Sequence, residues 1–460
     1  MLNPFMPDPV LETEKRCTHA YIIGQPGTGK SRLLESWIMQ DICAGNGVCL
    51  IDPHGDLYQR VLAKVARMPN IWNRVVVIDP LNPYWAVQLN PLHVTGETTP
   101  ERIAWFLSDI ILKIWKMERN EAPRMTWLMV NTFCALADLQ LPITTTSRFL
   151  LDREYHTRKI EELRNESAKS YFLREYPKQD NVIQEWVSPL LNKLGSFLQD
   201  PDIAAMFTDS IGINMLDLMN RKCIILVQIP KGILGENTSD LLGAFIVAQI
   251  QQAAFAREKE STRKPFYLYL DEFQNYTTDN ISDILSESRK YQLSMVLAHQ
   301  YLKQLDDRIQ AAILNTSGTI VCFRTGYEDA LQLARYVFPT KIFKARTRTK
   351  VVFTNFRSVQ IPQISDETEK QDWDQLAYLI SNQKQREYWV RIRTNESPIH
   401  LRSNHVSDVS ITKELEENIQ HLIDTSGKQY ARLKRAKGES EYEINDQSKN
   451  QFKRDPFWSD

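Results

Sequence analysis

The chain contains no Cys-x-x-Cys pair, no internal repeat, no low-complexity tract, and no apolar run near the ~18 to 20 residues of a membrane span. Its six cysteines, Cys17, Cys43, Cys49, Cys134, Cys223 and Cys322, are scattered, several inside apolar runs such as Val48-Cys49-Leu50-Ile51 and Lys222-Cys223-Ile224-Ile225. They read as buried thiols of a reducing compartment, which excludes a paired-cysteine zinc site and a disulfide framework. The amino terminus Met1-Leu2-Asn3-Pro4-Phe5 lacks a charged leader with an apolar stretch behind it, so the expected location is cytoplasmic, with recruitment to the inner face of a membrane left to a partner. Net charge is nearly absent too: 56 basic residues face 57 acidic ones. That excludes a bulk nucleic-acid coat but not a local basic channel, which needs positive charge only where phosphates pass. What is present is ordinary globular material, 42% hydrophobic and 25% charged over 460 residues, enough for two or three units.

A first strand, His19-Ala20-Tyr21-Ile22-Ile23, runs into a glycine-rich turn and then into a helical pattern from Ser31 to Met39. Strands at Gly47 to Asp52 and Arg74 to Asp79 follow at crossover spacing, and runs this continuously apolar belong to a parallel sheet covered on both faces. From Thr99 to Phe207 the texture is helical, as in Glu101 to Met117, Met125 to Leu139 and Arg153 to Arg174, and its mixed charge fits a solvated bundle as well as a substrate-contacting one. The sheet resumes at Lys222 to Ile229, a helix runs from Ser239 to Arg257, and strands are expected at Phe266 to Leu270, Ser294 to Ala298, Thr319 to Phe323, Glu387 to Arg393 and Pro398 to Arg402. Between them Lys341, Lys344, Arg346, Arg348, Lys350 and Arg357 form an acid-free basic strand or hairpin, either solvated or facing phosphates or a subunit. The expected division is an α/β phosphate-loop core with a central, mostly parallel sheet in two parts, 1–98 and 216–405. An all-helical insertion occupies 99–215, and 406–460 form a charged helical and flexible tail.

Gly24-Gln25-Pro26-Gly27-Thr28-Gly29-Lys30-Ser31 fits G-x-x-x-x-G-K-[ST] between a strand and a helix, so its backbone N–H groups, with Arg32 just beyond, would wrap the phosphates of ATP at a helix amino terminus. Lys30 would reach the β- and γ-phosphates and Ser31 would hold Mg²⁺. Hydrolysis needs a second acidic element, and Phe266-Tyr267-Leu268-Tyr269-Leu270-Asp271-Glu272 supplies it: Asp271 to orient magnesium through water, Glu272 to polarise the attacking water. The strand ending Ala298-His299-Gln300 places an amide that could sense the γ-phosphate, with His299 either a second sensor or a backbone-satisfied histidine. Arg289, in Ser288-Arg289-Lys290, and Arg324, after the strand Thr319 to Phe323, are the candidate arginines for the transition state. Asp52, His54 and Asp56 contact nucleotide or a subunit interface, or else cap the following helix.

The phosphate loop, Leu50-Ile51-Asp52-Pro53-His54-Gly55-Asp56-Leu57, Leu270-Asp271-Glu272-Phe273 and the stretch from Arg289-Lys290 to His299-Gln300 together resemble the FtsK/HerA superfamily of RecA-like phosphate-loop ATPases. Within it they are most similar to the TraG/TraD coupling proteins of conjugation and type IV secretion, over roughly residues 18 to 405. The resemblance implies a helical domain inserted in the motor, hexameric rings pumping DNA with ATP, a trans-acting arginine at Arg289 and a γ-phosphate-sensing glutamine at Gln300. It also implies partners: DNA of unspecified strandedness, further copies of the chain, a membrane-anchored or secretion-channel protein, and a relaxase or nuclease. Coupling proteins begin with membrane helices and HerA-type motors with a small β-barrel. A phosphate loop starting at Gly24 leaves room for neither, so the expectation is a soluble, stripped-down coupling-type motor of a mobile element, or a motor subunit whose anchoring is done by a partner. Three settings stay open: a DNA translocase, an ATPase that moves protein substrates to a secretion channel, and a motor of a defence or DNA-processing complex.

Overall fold

The computed structural model describes residues 18–434, apart from 95–97, 278–284, 286, 339–347, 355–356, 364–365, 396 and 404–408. Thirteen strands are described: β1 (Ala20–Ile23), β2 (Gly47–Asp52), β3 (Val75–Ile78), β4 (Trp85–Val87), β5 (Ile224–Gln228), β6 (Phe266–Leu270), β7 (Leu293–His299), β8 (Thr319–Phe323), β9 (Arg348–Thr354), β10 (Arg357–Gln363), β11 (Glu387–Ile392), β12 (Ile399–Arg402) and β13 (Ala431–Leu433). Nine of them form one sheet in the order β12-β11-β8-β1-β7-β6-β2-β5-β3. All neighbours from β8 to β3 are parallel, while β11 runs antiparallel to both β8 and β12.

The central strands are buried on both faces because alternate residues feed two different cores. Along β1, Ala20 and Ile22 join one cluster with Leu50, Tyr269 and the helix α1 (Lys30–Cys43), whereas Tyr21 and Ile23 join the other with Ile51 and Leu270. This second cluster runs on without a break into the helices between Pro100 and Asn220, including Leu107, Phe133, Phe149 and Phe197. Helix α3 (Glu236–Ala256) lies between the sheet and those helices, which explains why its sequence is apolar nearly all round; α2 (Asp56–Val65) covers the opposite face.

Residues 409–434, the described part of the expected tail, do not stand apart from the core. Helix α4 (Lys413–Tyr430) buries Leu415 and Leu422 on the α1 and α2 face, and its Ser426 hydroxyl accepts the Val77 N–H at 2.8 Å. β13 then pairs antiparallel with β4, where Gly427 lies so close to the Trp85 ring that a Cβ would come within 2.3 Å of it. Of the basic stretch, Arg348, Lys350 and Arg357 lie on the antiparallel hairpin β9–β10, while Lys341, Lys344 and Arg346 fall outside the described residues. Cys49, Cys134, Cys223 and Cys322 are buried; Cys43 is exposed, because it ends α1 at the surface, and Cys17 falls outside the described residues. Among the described residues no helix is long and apolar enough to cross a membrane.

Candidate nucleotide site

The loop Gly24–Gly29 leaves β1 in the middle of the sheet and is tied to the strands on both sides. Gly24 N–H donates to the His299 carbonyl at 3.4 Å and Gln25 N–H to the Arg324 carbonyl at 2.9 Å. Gly24 has no room for a side chain, since a Cβ there would sit 2.5 Å from Phe323 Cβ. Gly29, at the N-cap of α1, has φ 116°, a left-handed conformation that glycine adopts without steric cost. Thr28 pins the turn by donating its hydroxyl to the Gln25 carbonyl at 2.7 Å.

Lys30 is buried, and its ammonium donates to the carbonyls of Gly24 at 2.6 Å and Gln25 at 3.3 Å. Burial pulls its pKa down, while Asp271 and Glu272 oppose the shift. Those two carboxylates come from the end of β6, separated from β1 by β7 alone. Burial first, then the neighbouring Asp52 and Glu272, push the Asp271 carboxyl up to about 7. Ser31 Oγ donates to Asp271 Oδ2 at 3.4 Å. A hydroxyl and a buried carboxylate crowded by like charge are a donor set that a hard divalent cation with phosphate ligands would complete. Ser31 and Asp271 therefore fit Mg²⁺, and the loop with Lys30 fits the phosphates.

Glu272 is buried with φ 47°; its Oε1 accepts from Gln300 Nε2 at 2.8 Å and its Oε2 from Gln274 Nε2 at 2.9 Å. Gln304 steadies this corner by accepting the N–H groups of both Gln300 and Tyr301 at 3.1 Å. His299 bonds Tyr21 Oη through Nε2 at 2.6 Å and stacks edge-on against Phe273; burial and Lys30 push its pKa down to about 3. It is a core histidine whose Nε2 meets a tyrosine rather than backbone. Asp52 takes the capping role, accepting the N–H groups of His54 and Tyr58 at 2.9 Å each at the start of α2, while His54 and Asp56 are exposed.

The arginines separate. Arg32 bonds Glu35, which also holds Arg60 at 2.9 Å and Lys64 at 2.5 Å, and so fastens α1 to α2. Arg324 is exposed beside the phosphate loop. The backbone of Arg289 lies in the 3-10 turn Ser288–Tyr291 that enters β7, at the edge of the sheet opposite Gln300. Leu285 and Glu287, the described residues just before this turn, are helical.

Sequence reasoning missed a second contact on the loop. Arg386, with φ 71°, donates its N–H to the Thr28 carbonyl at 2.9 Å, and Gln385 Nε2 donates to the Gly27 carbonyl at 3.2 Å. No motif announces these residues, because the contacts are one backbone N–H and one ordinary glutamine amide arriving from the turn before β11.

Residues 265–337 match the family described as the TraM recognition site of TraD and TraG. This segment is similar to the corresponding part of TraD and TraG. It spans β6, β7, β8 and the helix Tyr327–Val337, and so includes Asp271, Glu272, Gln300 and Arg324. No curated protein matches the chain by sequence. Among solved structures, the bacterial conjugative coupling protein TrwBdeltaN70 superposes with a TM-score of 0.57 at 14% identity, over 88% of each chain. Plasmid coupling protein TrwB in complex with ADP and Mg²⁺ gives 0.56 at 14% identity, over 88% of this chain and 89% of that one. VirB4 of Thermoanaerobacter pseudethanolicus gives 0.51 at 13% identity, over 84% and 89%. At these identities the likeness is one of fold. With the TraD/TraG segment, it bears out the resemblance to coupling proteins and the phosphate-loop α/β architecture.

Proposed function

We propose that this chain is a coupling-type motor that hydrolyses ATP with Mg²⁺ and uses the cycle to move DNA, as further copies of itself assemble into a ring. One observation carries the reading: β1, β6 and β7, adjacent or one strand apart, deliver Lys30, Asp271–Glu272 and Gln300 to the same carboxyl edge of a parallel sheet, where such folds bind nucleotide. Lys30 and the loop amides hold the phosphates, and Glu272 accepts a proton from the attacking water. Gln300, already bonded to Glu272, is placed to link the γ-phosphate to that base. Ser31 and, through water, Asp271 would hold Mg²⁺, which would supply charge neutralisation. The TrwB structure with ADP and Mg²⁺ supports both ligands by analogy of fold.

A second reading, movement of protein substrates, is favoured by the TraM-recognition character of residues 265–337, which suggests a protein partner. The deciding experiment is the ATPase rate with and without single- and double-stranded DNA. A DNA translocase is stimulated several-fold or more by at least one of them. A rate indifferent to both, from active and assembled protein, discards DNA movement in favour of the protein-substrate reading.

A further inference from the structure

Glu272 is held more elaborately than a water-facing carboxylate on a turn requires. Its backbone is in the left-handed region, which is strained for a residue with a side chain, and its N–H donates to Asp271 Oδ1 at 3.1 Å. Its two oxygens each meet a primary amide from a different element: Gln300 from the end of β7, Gln274 from the 3-10 turn Phe273–Tyr276. The other end of the Gln274 amide, Oε1, is buried with no hydrogen-bond partner among the described residues. The amide cannot improve its position by flipping, since that would set carbonyl lone pairs against the carboxylate. Among the described residues Gln274 thus leaves its carbonyl buried and unpaired while its NH₂ serves Glu272, an arrangement that costs free energy and so marks the contact as one with a use.

We propose that Gln274 is a positioning residue for Glu272, fixing the plane of its carboxylate so that the lone pairs left free point at the attacking water; this rests on the hydrolytic reading above. The terminal torsion of a glutamate is soft and broad. Gln300 alone, on one oxygen, is a pivot about which the carboxylate turns. A second donor on the other oxygen removes that rotation. Two amides occupy two of roughly four lone-pair directions, leaving the rest for water. Because a general base works only within about 2.6–3.2 Å of the proton it takes, a freely turning carboxylate loses turnover without losing nucleotide.

The test is the pair Gln274→Leu, which removes the donor at similar size, and Gln274→Glu, which sets like charge against Glu272. Both are expected to lower kcat about 10-fold or more, with KM for ATP and affinity for a non-hydrolysable analogue within about twofold of the parent. In a Glu272→Gln background Gln274→Leu should cost nothing further. Lost affinity with kcat intact, or the same loss in the Glu272→Gln background, would overturn the assignment. A second arm needs no turnover: Gln274→Leu should lower the melting temperature of the full chain but not that of a Glu272→Ala chain, where removing the buried carbonyl is neutral or stabilising. If the parent protein hydrolyses no ATP, the hydrolytic reading falls by itself. The melting cycle then decides whether Gln274 holds Glu272, and equal shifts in both backgrounds refute it.

Discussion

On the proposed mechanism Lys30 and Glu272 act at different moments, one on phosphate in the ground state, the other on water in the transition state. Lys30→Ala should therefore weaken nucleotide binding. Glu272→Gln should bind ATP as the parent does and turn over on the order of 10² to 10⁴ times more slowly, read by a fluorescent-nucleotide titration beside phosphate release. Normal turnover by the glutamine variant would remove Glu272 from the reaction. At this scale the sequence was legible wherever a short motif sits on a strand end, as with Lys30, Asp271 and Glu272. It was illegible wherever the answer lies across the fold. His299 stood between sensor and structural residue until Tyr21, 278 positions away, supplied its hydrogen bond. Asp52 resolved toward capping because two N–H groups of its own turn and helix face it. Gln385 and Arg386 carry no local signal at all.

Elements tell a similar story with a different cause. Periodicity located all nine strands of the main sheet and the helical run after Pro100, since strands buried on both faces and amphipathic helices write their pattern into contiguous residues. It missed β4 and β13, three residues each, whose pairing joins positions some 340 apart. Within the helical run, His156 on the helix Arg153–Glu162 exposes a pH dependence that no pattern shows. Its Nδ1 lies 2.8 Å from the Phe149 carbonyl, and the rings of Phe149, Phe172 and Tyr176 surround it at 4.9–5.3 Å. Burial depresses its pKa, only partly opposed by that carbonyl. The unfolded chain thus takes up the proton first on acidification, so the stability is complete above the unfolded value of about 6.5 and is lost as pH falls toward the folded one. The melting temperature should drop between pH 7.5 and 5.5, and by less in His156→Phe. An equal drop in both proteins would show that other groups set the acid limb.

At the scale of the whole molecule, the position of Arg289 turns an ambiguity of sequence into a geometric question. Its turn enters β7 and Gln300 leaves it, so the seven residues of the strand, roughly 23 Å at ~3.3 Å each, separate Arg289 from the phosphate loop of its own chain. An arginine side chain spans less than half of that. Arg324, by contrast, follows β8 directly beside the loop, where its carbonyl accepts from Gln25. A loose phosphoryl-transfer transition state spreads charge over oxygens that a lysine and a metal ion neutralise only in part, and a further arginine is worth roughly 10³-fold or more in other phosphate-loop enzymes. If Arg289 supplies that charge, it must do so to a neighbouring copy, and activity then depends on assembly. Mixing Arg289→Ala chains with Lys30→Ala chains, each nearly inactive alone, should restore part of the ATPase rate, because some interfaces pair an intact loop with an intact arginine. Arg324→Ala mixed in the same way should restore little, since an arginine acting in cis serves its own chain's loop and no chain in the mixture keeps both intact. No recovery with Arg289→Ala, in mixtures shown to co-assemble, would reject the trans assignment and leave Arg324 as the arginine acting in cis.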